Sequence, residues 1–136
     1  MVKLADLAPL RGKRVLITGH TGFKGSWLCV ALNEVGAKIT GFALPPDRAD
    51  SHFELLKLKK TIKHIEGDIC DAKHLGQVFK ATKPEFVFHL AAQALVGRSY
   101  AEPKLTFDTN VAGSVNVLEG VRNTPSVRVL VYVTSD

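Results

Sequence analysis

The sequence contains few cysteines and no long apolar run, and both absences exclude classes of protein. Its two cysteines, Cys29 and Cys70, lack CxxC spacing, so we assign them no chemistry and expect small buried hydrophobes. No segment is apolar over the length that a membrane helix needs, and residues 1–13 lack the apolar run of a signal peptide. We therefore expect a cytoplasmic protein with no membrane partner.

Motifs for three other kinds of site are also absent. The glycine-rich loop is not closed by Gly-Lys-Ser/Thr, which argues against a P-loop NTPase. There is no Gly-x-Ser-x-Gly elbow of a serine hydrolase. The histidines form no i, i+4 pair and have no neighbouring thiols at ligand spacing, so we predict no metal site. They are His20, His52, His64, His74 and His89.

The 136 residues, of which 46% are hydrophobic and 23% charged, are typical of one folded domain, residues 1–136. The net charge of +5 suggests nucleic-acid binding, with a focus in the lysines at positions 57, 59, 60 and 63. Those lysines alternate with leucine and isoleucine and have no interleaved aromatic residues, which is typical of a solvated face. We expect no nucleic-acid partner.

Strand and helix patterns alternate regularly along the chain. Apolar runs at 14–18, 37–44, 61–66, 85–91 and 127–134 predict five strands. Between them, the first helix ends at Gly36, a short one covers 51–58, Asp71 caps the third, and the fourth has three apolar residues on one face. Those three are Val111, Val115 and Leu118. The order predicts an α/β fold with a doubly wound, Rossmann-type parallel sheet that binds ligands at the strands' carboxyl ends.

The fifth predicted strand is apolar and is followed almost directly by Asp136, where the sequence stops. Such a strand would form a naked sheet edge, and edges of this kind normally pair or are covered. We therefore expect an N-terminal piece truncated after the fifth strand, with further strands and a C-terminal substrate domain in the parent protein.

The segment from Thr18 to Gly25 follows a predicted strand directly and opens a helix, as a phosphate-binding turn requires. Gly19 permits the tight turn, Gly22 lets backbone N–H groups approach a pyrophosphate, and Gly25 lets helix and strand pack closely. The helix N-terminus adds a favourable potential for an anion. The turn predicts a site for NAD or NADP.

The adenosine end of that site is less clearly marked. An acidic residue commonly follows the second strand and binds the ribose hydroxyls, but Ala43 and Leu44 stand there. Arg48 lies just beyond and either meets a 2′-phosphate or is a solvated loop cation, so the choice between NAD and NADP stays open. After the third strand, Asp68 is a ligand candidate for adenine with Ile69 as its apolar neighbour.

Together, five segments resemble the extended short-chain dehydrogenase/reductases, and within them the sugar-nucleotide 4,6-dehydratases that act on CDP-glucose. They are residues 18–27 (TGHTGFKGSW), 67–69 (GDI), 89–93 (HLAAQ), 110–113 (NVAG) and 134–136 (TSD). The resemblance implies that bound NAD takes a hydride from C4 of a nucleotide-activated hexose, that water leaves across C5 and C6, and that the hydride returns to C6. It also implies a homo-oligomeric parent.

The resemblance assigns roles residue by residue. It implies that Ser135 contacts the sugar hydroxyl being oxidised and that Asp136 helps the C6 hydroxyl leave as a general acid. Arg98 and Ser99 are candidate substrate-side residues. Cofactor contacts are implied for Gly19, His20, Thr21, Gly22, Phe23, Lys24, Gly25, Asp68, Ile69, Leu90, Ala91, Ala92, Gln93, Asn110 and Thr134.

Several alternatives remain open on the sequence alone. Members of this family carry a further acid/base residue after Asp136 and a later Tyr-x-x-x-Lys pair, so we expect this chain alone to be inactive. His89 lies in an apolar strand and is interpreted as a satisfied core histidine. Asn110 either bonds to a nearby loop or supports the active site. The rival functions are a 4-epimerase or reductase of the same superfamily and a non-catalytic dinucleotide-binding module.

Overall fold

A computed structural model describes residues 3–134 and confirms the doubly wound parallel sheet. All neighbouring strands are parallel, and their order across the sheet is β3-β2-β1-β4-β5. The order reverses between β1 and β4, and this switch point opens a crevice at the strands' carboxyl ends. The strands are β1 (Arg14–Thr18), β2 (Lys38–Ala43), β3 (Lys63–Glu66), β4 (Phe86–His89) and β5 (Val129–Tyr132).

Helices cover both faces of the sheet. The α-helices are α1 (Phe23–Glu34), α2 (His52–Leu55), α3 (Ala72–Thr82), α4 (Val96–Ala101), α5 (Pro103–Phe107) and α6 (Ser114–Arg122). Short 3-10 helices cover Leu4–Leu10 and Leu58–Lys60, and a π-helical turn at Asp108–Gly113 joins α5 to α6. Asp71 caps α3 as predicted, because its carboxylate accepts the His74 N–H at 2.9 Å. Among residues 3–134, no helix is long and apolar enough to cross a membrane.

Two apolar cores form because side chains of β1 point alternately to the two faces of the sheet. Val15 and Ile17 pack with Leu32 of α1 and Phe53 of α2 on one face. The opposite core lies between the sheet and helices α3 and α6, and it includes Leu16, Phe42, Leu75, Phe79, Val87 and Val117. Burial on both faces explains why residues 14–18 show no in–out alternation in the sequence.

One sequence expectation about burial, that of Cys70, needs correction. Cys29 is buried as expected, but Cys70 is exposed and its Sγ lies 3.3 Å from the carbonyl oxygen of Asp108. The predicted apolar face of the last long helix is not its packed face. Val111, Val115 and Leu118 are about half exposed, whereas the core lies against Val117. Sequence periodicity indicates an apolar helix face but does not indicate whether that face packs against the sheet.

Two helical glycines give a matched test of how α3 packs on α6. A Cβ at Gly120 would lie 2.4 Å from the Phe79 ring, whereas a Cβ at Gly76 meets nothing within 4 Å. We predict that Gly120→Ala lowers the free energy of unfolding by about 1–3 kcal/mol through overpacking. Gly76→Ala, the control, should raise it by up to about 1 kcal/mol through helix propensity. Urea unfolding of both variants measures the difference, and equal effects would contradict the α3–α6 packing.

Candidate functional site

The glycine-rich turn is fixed by two very close backbone approaches. Gly19 has φ +77°, and a Cβ there would lie 2.6 Å from the nitrogen of Ala91, which follows β4. A Cβ at Gly25 would lie 2.3 Å from the Gly19 carbonyl oxygen. These distances are shorter than a real Cβ contact tolerates, so both positions require glycine. The turn therefore passes between β1, β4 and the start of α1.

The turn leaves the N-terminus of α1 open. Gly22 is the N-cap residue, with φ −71°, and no side chain caps the helix. Among the described residues, the N–H groups of Phe23, Lys24 and Gly25 have no hydrogen-bond partner. A Cβ at Gly22 would meet only the Gly19 oxygen, at 3.4 Å, so the space beside these donors is free of the chain's own atoms. Unpaired N–H groups at the positive end of a 12-residue helix favour an anion.

Side chains hold the turn against the loop after β2. The Thr21 hydroxyl donates to the Leu44 carbonyl at 2.9 Å, which joins the turn to the adenosine side of the crevice. The Ser26 hydroxyl donates to the Phe23 carbonyl and lies 2.6 Å from His52 Nδ1. Phe23 and Lys24 themselves are exposed at the mouth of the crevice.

His20 belongs to the turn only through its backbone. Its ring is fully buried, and it occupies the space that a Cβ at Gly41 of β2 would take. Nε2 lies 2.6 Å from His64 Nδ1, whereas Nδ1 has no partner within the described chain. Burial, and then the neighbouring His64, lower the pKa of His20 to about 3. The ring is therefore a neutral support beneath the turn, and a ligand would meet the His20 main chain.

The loop after β4 forms the opposite wall of the crevice. Leu90 packs into the first core, and Ala91, Ala92 and Gln93 follow it. The Gln93 N–H donates to Asn110 Oδ1 at 2.7 Å, and Asn110 Nδ2 donates back to the Gln93 carbonyl at 3.0 Å. Asn110 lies in the π-helical turn, a geometry that often marks functional sites. Of the two roles left open for Asn110, the structure thus shows bonding to this loop.

A polar row runs beneath the crevice across three strands, and its members Thr18, His89 and Ser114 are buried, whereas Tyr132 is partly exposed. Thr18, His89 and Tyr132 share one register, and the Thr18 hydroxyl lies 2.6 Å from His89 Nδ1. His89 Nε2 lies 2.9 Å from Ser114 Oγ, which also accepts the Tyr132 hydroxyl at 2.9 Å. His89 is therefore satisfied at both nitrogens, and burial lowers its pKa to about 4. Sequence reasoning missed Ser114 and Tyr132, because only strand register brings them to His89.

Asp68, the acidic candidate for binding adenine, is exposed at the adenosine end of the crevice. Asp68 follows β3, and its Oδ1 accepts the Cys70 N–H at 2.8 Å. Ile69 is buried, and a Cβ at Gly113 would lie 2.6 Å from its side chain. The Ile69 side chain therefore packs into the core, and an adenine ring in the crevice would meet its backbone.

The remaining predicted residues lie farther along the chain. Arg98 of α4 pairs with Glu102 at 2.6 Å, and the Ser99 hydroxyl donates to the Val96 carbonyl at 2.6 Å. Both follow the crevice-forming loop after β4. Thr134 is exposed just beyond β5. The two predicted catalytic residues, Ser135 and Asp136, lie outside the described residues. Within 3–134, no cluster of three or more His, Cys, Asp or Glu is arranged to hold a metal.

Comparisons with known proteins agree with this geometry. The family model for GDP-mannose 4,6 dehydratase matches residues 16–136. The chain belongs to this family. A CDP-glucose 4,6-dehydratase of Salmonella typhimurium is 46% identical over 126 residues, which cover 93% of this chain and 35% of that protein. The match confirms the resemblance to sugar-nucleotide dehydratases.

Two solved structures of epimerases share the fold. An epimerase of Methanothermobacter thermautotrophicus has a TM-score of 0.82 and 30% identity, covering 97% of this chain and 38% of its own. A UDP-glucose-4-epimerase of Stenotrophomonas maltophila, with bound NAD, has a TM-score of 0.76 and 26% identity, covering 90% and 37%. The chain thus spans little more than a third of the length of these relatives.

The two buried histidines predict a stability that depends on pH. Both folded-state pKa values, about 3 for His20 and about 4 for His89, lie below the ordinary 6.5, so the unfolded chain binds protons that the folded chain excludes. This contribution is complete above about pH 6.5 and is lost as the pH falls towards the folded pKa values. Between about pH 7.5 and pH 5, we expect a loss of about 2 kcal/mol per histidine.

Urea unfolding across this pH range measures the loss of stability. The His89→Gln variant isolates the contribution of His89 to that loss. A glutamine side chain does not titrate, so the variant should lose less stability on acidification than the unmodified chain. A free energy of unfolding that stays constant from about pH 7.5 to pH 5 would contradict the burial of neutral rings.

Proposed function

We propose that this chain is the N-terminal, NAD-binding part of a sugar-nucleotide 4,6-dehydratase. The observation that carries the proposal is the open N-terminus of α1, where N–H groups of Phe23, Lys24 and Gly25 are unpaired beside the side-chain-free Gly22. The crevice lies at the switch point of a parallel sheet, where dinucleotides bind. A pyrophosphate fits both the free space and the sign of the potential.

NAD is the proposed cofactor, and NADP is the second candidate. The Stenotrophomonas epimerase of the same fold contains NAD. In this chain, the turn would hold the pyrophosphate, Asp68 the adenine amino group, and residues Leu90–Gln93 the wall towards the reacting end. When bound, the cofactor supplies the acceptor and donor of the transferred hydride.

For the parent protein, we propose dehydration of a nucleotide-activated hexose, with CDP-glucose as the substrate. The 46% identity to the Salmonella CDP-glucose 4,6-dehydratase supports this choice. Ser135 would contact the C4 hydroxyl, and Asp136 would protonate the departing C6 hydroxyl, which requires a carboxyl group able to hold a proton. Arg98 and Ser99 are proposed for the substrate side. We place the parent in the cytoplasm as a homo-oligomer.

The second candidate function is a sugar-nucleotide 4-epimerase, because both solved structures compared above are epimerases. Both reactions begin with oxidation at C4, so the same cofactor site serves either of them. They differ in what happens at C6, where we propose that residues after β5 act. A non-catalytic dinucleotide-binding module uses the same crevice without those groups.

Cofactor binding by this chain is directly testable through its single tryptophan. Trp27 lies on α1, stacks on His52 at 4.5 Å and is half exposed, so its fluorescence reports on the crevice. We predict energy transfer from Trp27 to bound NADH. Gly22→Ala should weaken binding at least about tenfold, because its Cβ fills the pyrophosphate space, while changing the free energy of unfolding by less than about 1 kcal/mol.

The matched control is Gly76→Ala, whose site is open and lies on α3 away from the turn. It should bind NADH as the unmodified chain does. No binding by the unmodified chain, or equal binding by Gly22→Ala, would contradict the proposed site.

The reaction is testable on the intact parent enzyme. We predict that incubation with CDP-glucose and NAD yields a 4-keto-6-deoxy product with loss of one water, a decrease of about 18 Da that mass spectrometry detects. The chain of residues 1–136 alone should give no turnover. A product that keeps its 6-hydroxyl and is inverted at C4 would favour the epimerase instead.

A further inference from the structure

Arg48 and Asp50 form an ion pair in the loop between β2 and α2. Arg48 Nε lies 2.7 Å from Asp50 Oδ1, and Nη2 lies 2.8 Å from Oδ2, so one edge of the guanidinium is fully engaged. A turn in which the Ser51 N–H donates to the Arg48 carbonyl at 3.1 Å brings the two side chains together. This bidentate geometry is the one by which arginine also binds phosphate.

The loop that carries the pair leaves the sheet beside the glycine-rich turn. β2 ends at Ala43, and the Leu44 carbonyl accepts the Thr21 hydroxyl at 2.9 Å. In a doubly wound sheet, the segment after the second strand lies against the adenosine ribose of a bound dinucleotide. By this rule, the loop that carries the pair is the segment that distinguishes a free 2′-hydroxyl from a 2′-phosphate.

The charge of the loop itself disfavours a further anion. Asp47 and Asp50 outnumber Arg48, so residues 47–50 carry a net charge of −1 from one cation and two carboxylates. The ends of neighbouring strands add Glu66 and Asp68, both exposed. Arg48 lowers the pKa of Asp50, so this carboxylate remains ionised near neutral pH. A 2′-phosphate would have to compete with Asp50 for the only arginine of the loop.

We propose that Asp50 is a specificity-determining residue that selects NAD over NADP by occupying the guanidinium of Arg48. The inference rests on the proposed function, since it presumes that the crevice binds a dinucleotide. Both side chains of the pair are exposed to solvent, and exposed ion pairs contribute little free energy. We therefore expect Asp50 to change the ratio of NADH to NADPH affinity by about fivefold, without preventing the binding of either cofactor.

The test compares affinities for NADH and NADPH in this chain, measured by energy transfer from Trp27. The unmodified chain should bind NADH more tightly. Asp50→Asn frees Arg48 and should improve NADPH binding about fivefold, with NADH affinity changed less than about twofold. The gain should shrink at high salt, because it is electrostatic.

Two further variants separate the ion pair from a general change of charge. Asp47→Asn adds the same charge to the same loop without freeing Arg48, so it should raise NADPH affinity by less than about twofold. Arg48→Ala combined with Asp50→Asn should lose the gain of the single variant, because the phosphate then has no guanidinium to bind.

The outcomes distinguish the role of Asp50 from the proposed function. The role of Asp50 is overturned if the chain binds NADH but Asp50→Asn leaves the ratio of NADPH to NADH affinity unchanged. It is also overturned if Asp47→Asn changes that ratio as much as Asp50→Asn does. In both cases the proposed function still stands. Binding of neither dinucleotide by the unmodified chain overturns the proposed function and the inference with it. Tighter binding of NADPH than NADH by the unmodified chain also overturns the inference.

Discussion

The close approach of Gly19 to the backbone of Ala91 is the contact on which the candidate site depends. A Cβ would be 2.6 Å from the Ala91 nitrogen, so only glycine lets β1 and β4 end side by side with the turn between them. These strands are neighbours where the strand order reverses. Gly25 then brings α1 onto the same turn, and the helix begins where the crevice opens. The same backbone approach therefore fixes the strand order at the switch point and the turn proposed to bind phosphate.

Beneath the turn, the polar row connects the crevice to β5. Thr18, His89 and Tyr132 lie on one register, and Ser114 of α6 joins the second nitrogen of His89 to the tyrosine hydroxyl. Buried polar groups of this kind cost desolvation unless every partner is present, so they specify one arrangement of strands more than they add stability. The floor of the crevice and strand β5 therefore share one support.

Local patterns were sufficient to predict the sheet, the glycine turn and the Asp71 cap, because each depends on residues adjacent in sequence. Other features depend on contacts between distant residues. The burial of His20 requires the missing side chain of Gly41, which lies on another strand. The polar row requires the register of three strands, and the exposure of Val115 depends on which helix face meets the sheet. Strand ends also came out shorter than the apolar runs, since loops carry apolar residues too.

The central claim, that the open N-terminus of α1 binds the pyrophosphate of NAD, is tested most directly by NMR. With ¹⁵N-labelled chain and added NAD, the largest amide shift changes should fall on Phe23, Lys24 and Gly25, whose N–H groups are unpaired in the fold. Smaller changes should follow at Ala91 and Asp68. Saturable shifts confined to other surfaces, or no shifts at these amides at any NAD concentration, would contradict the account.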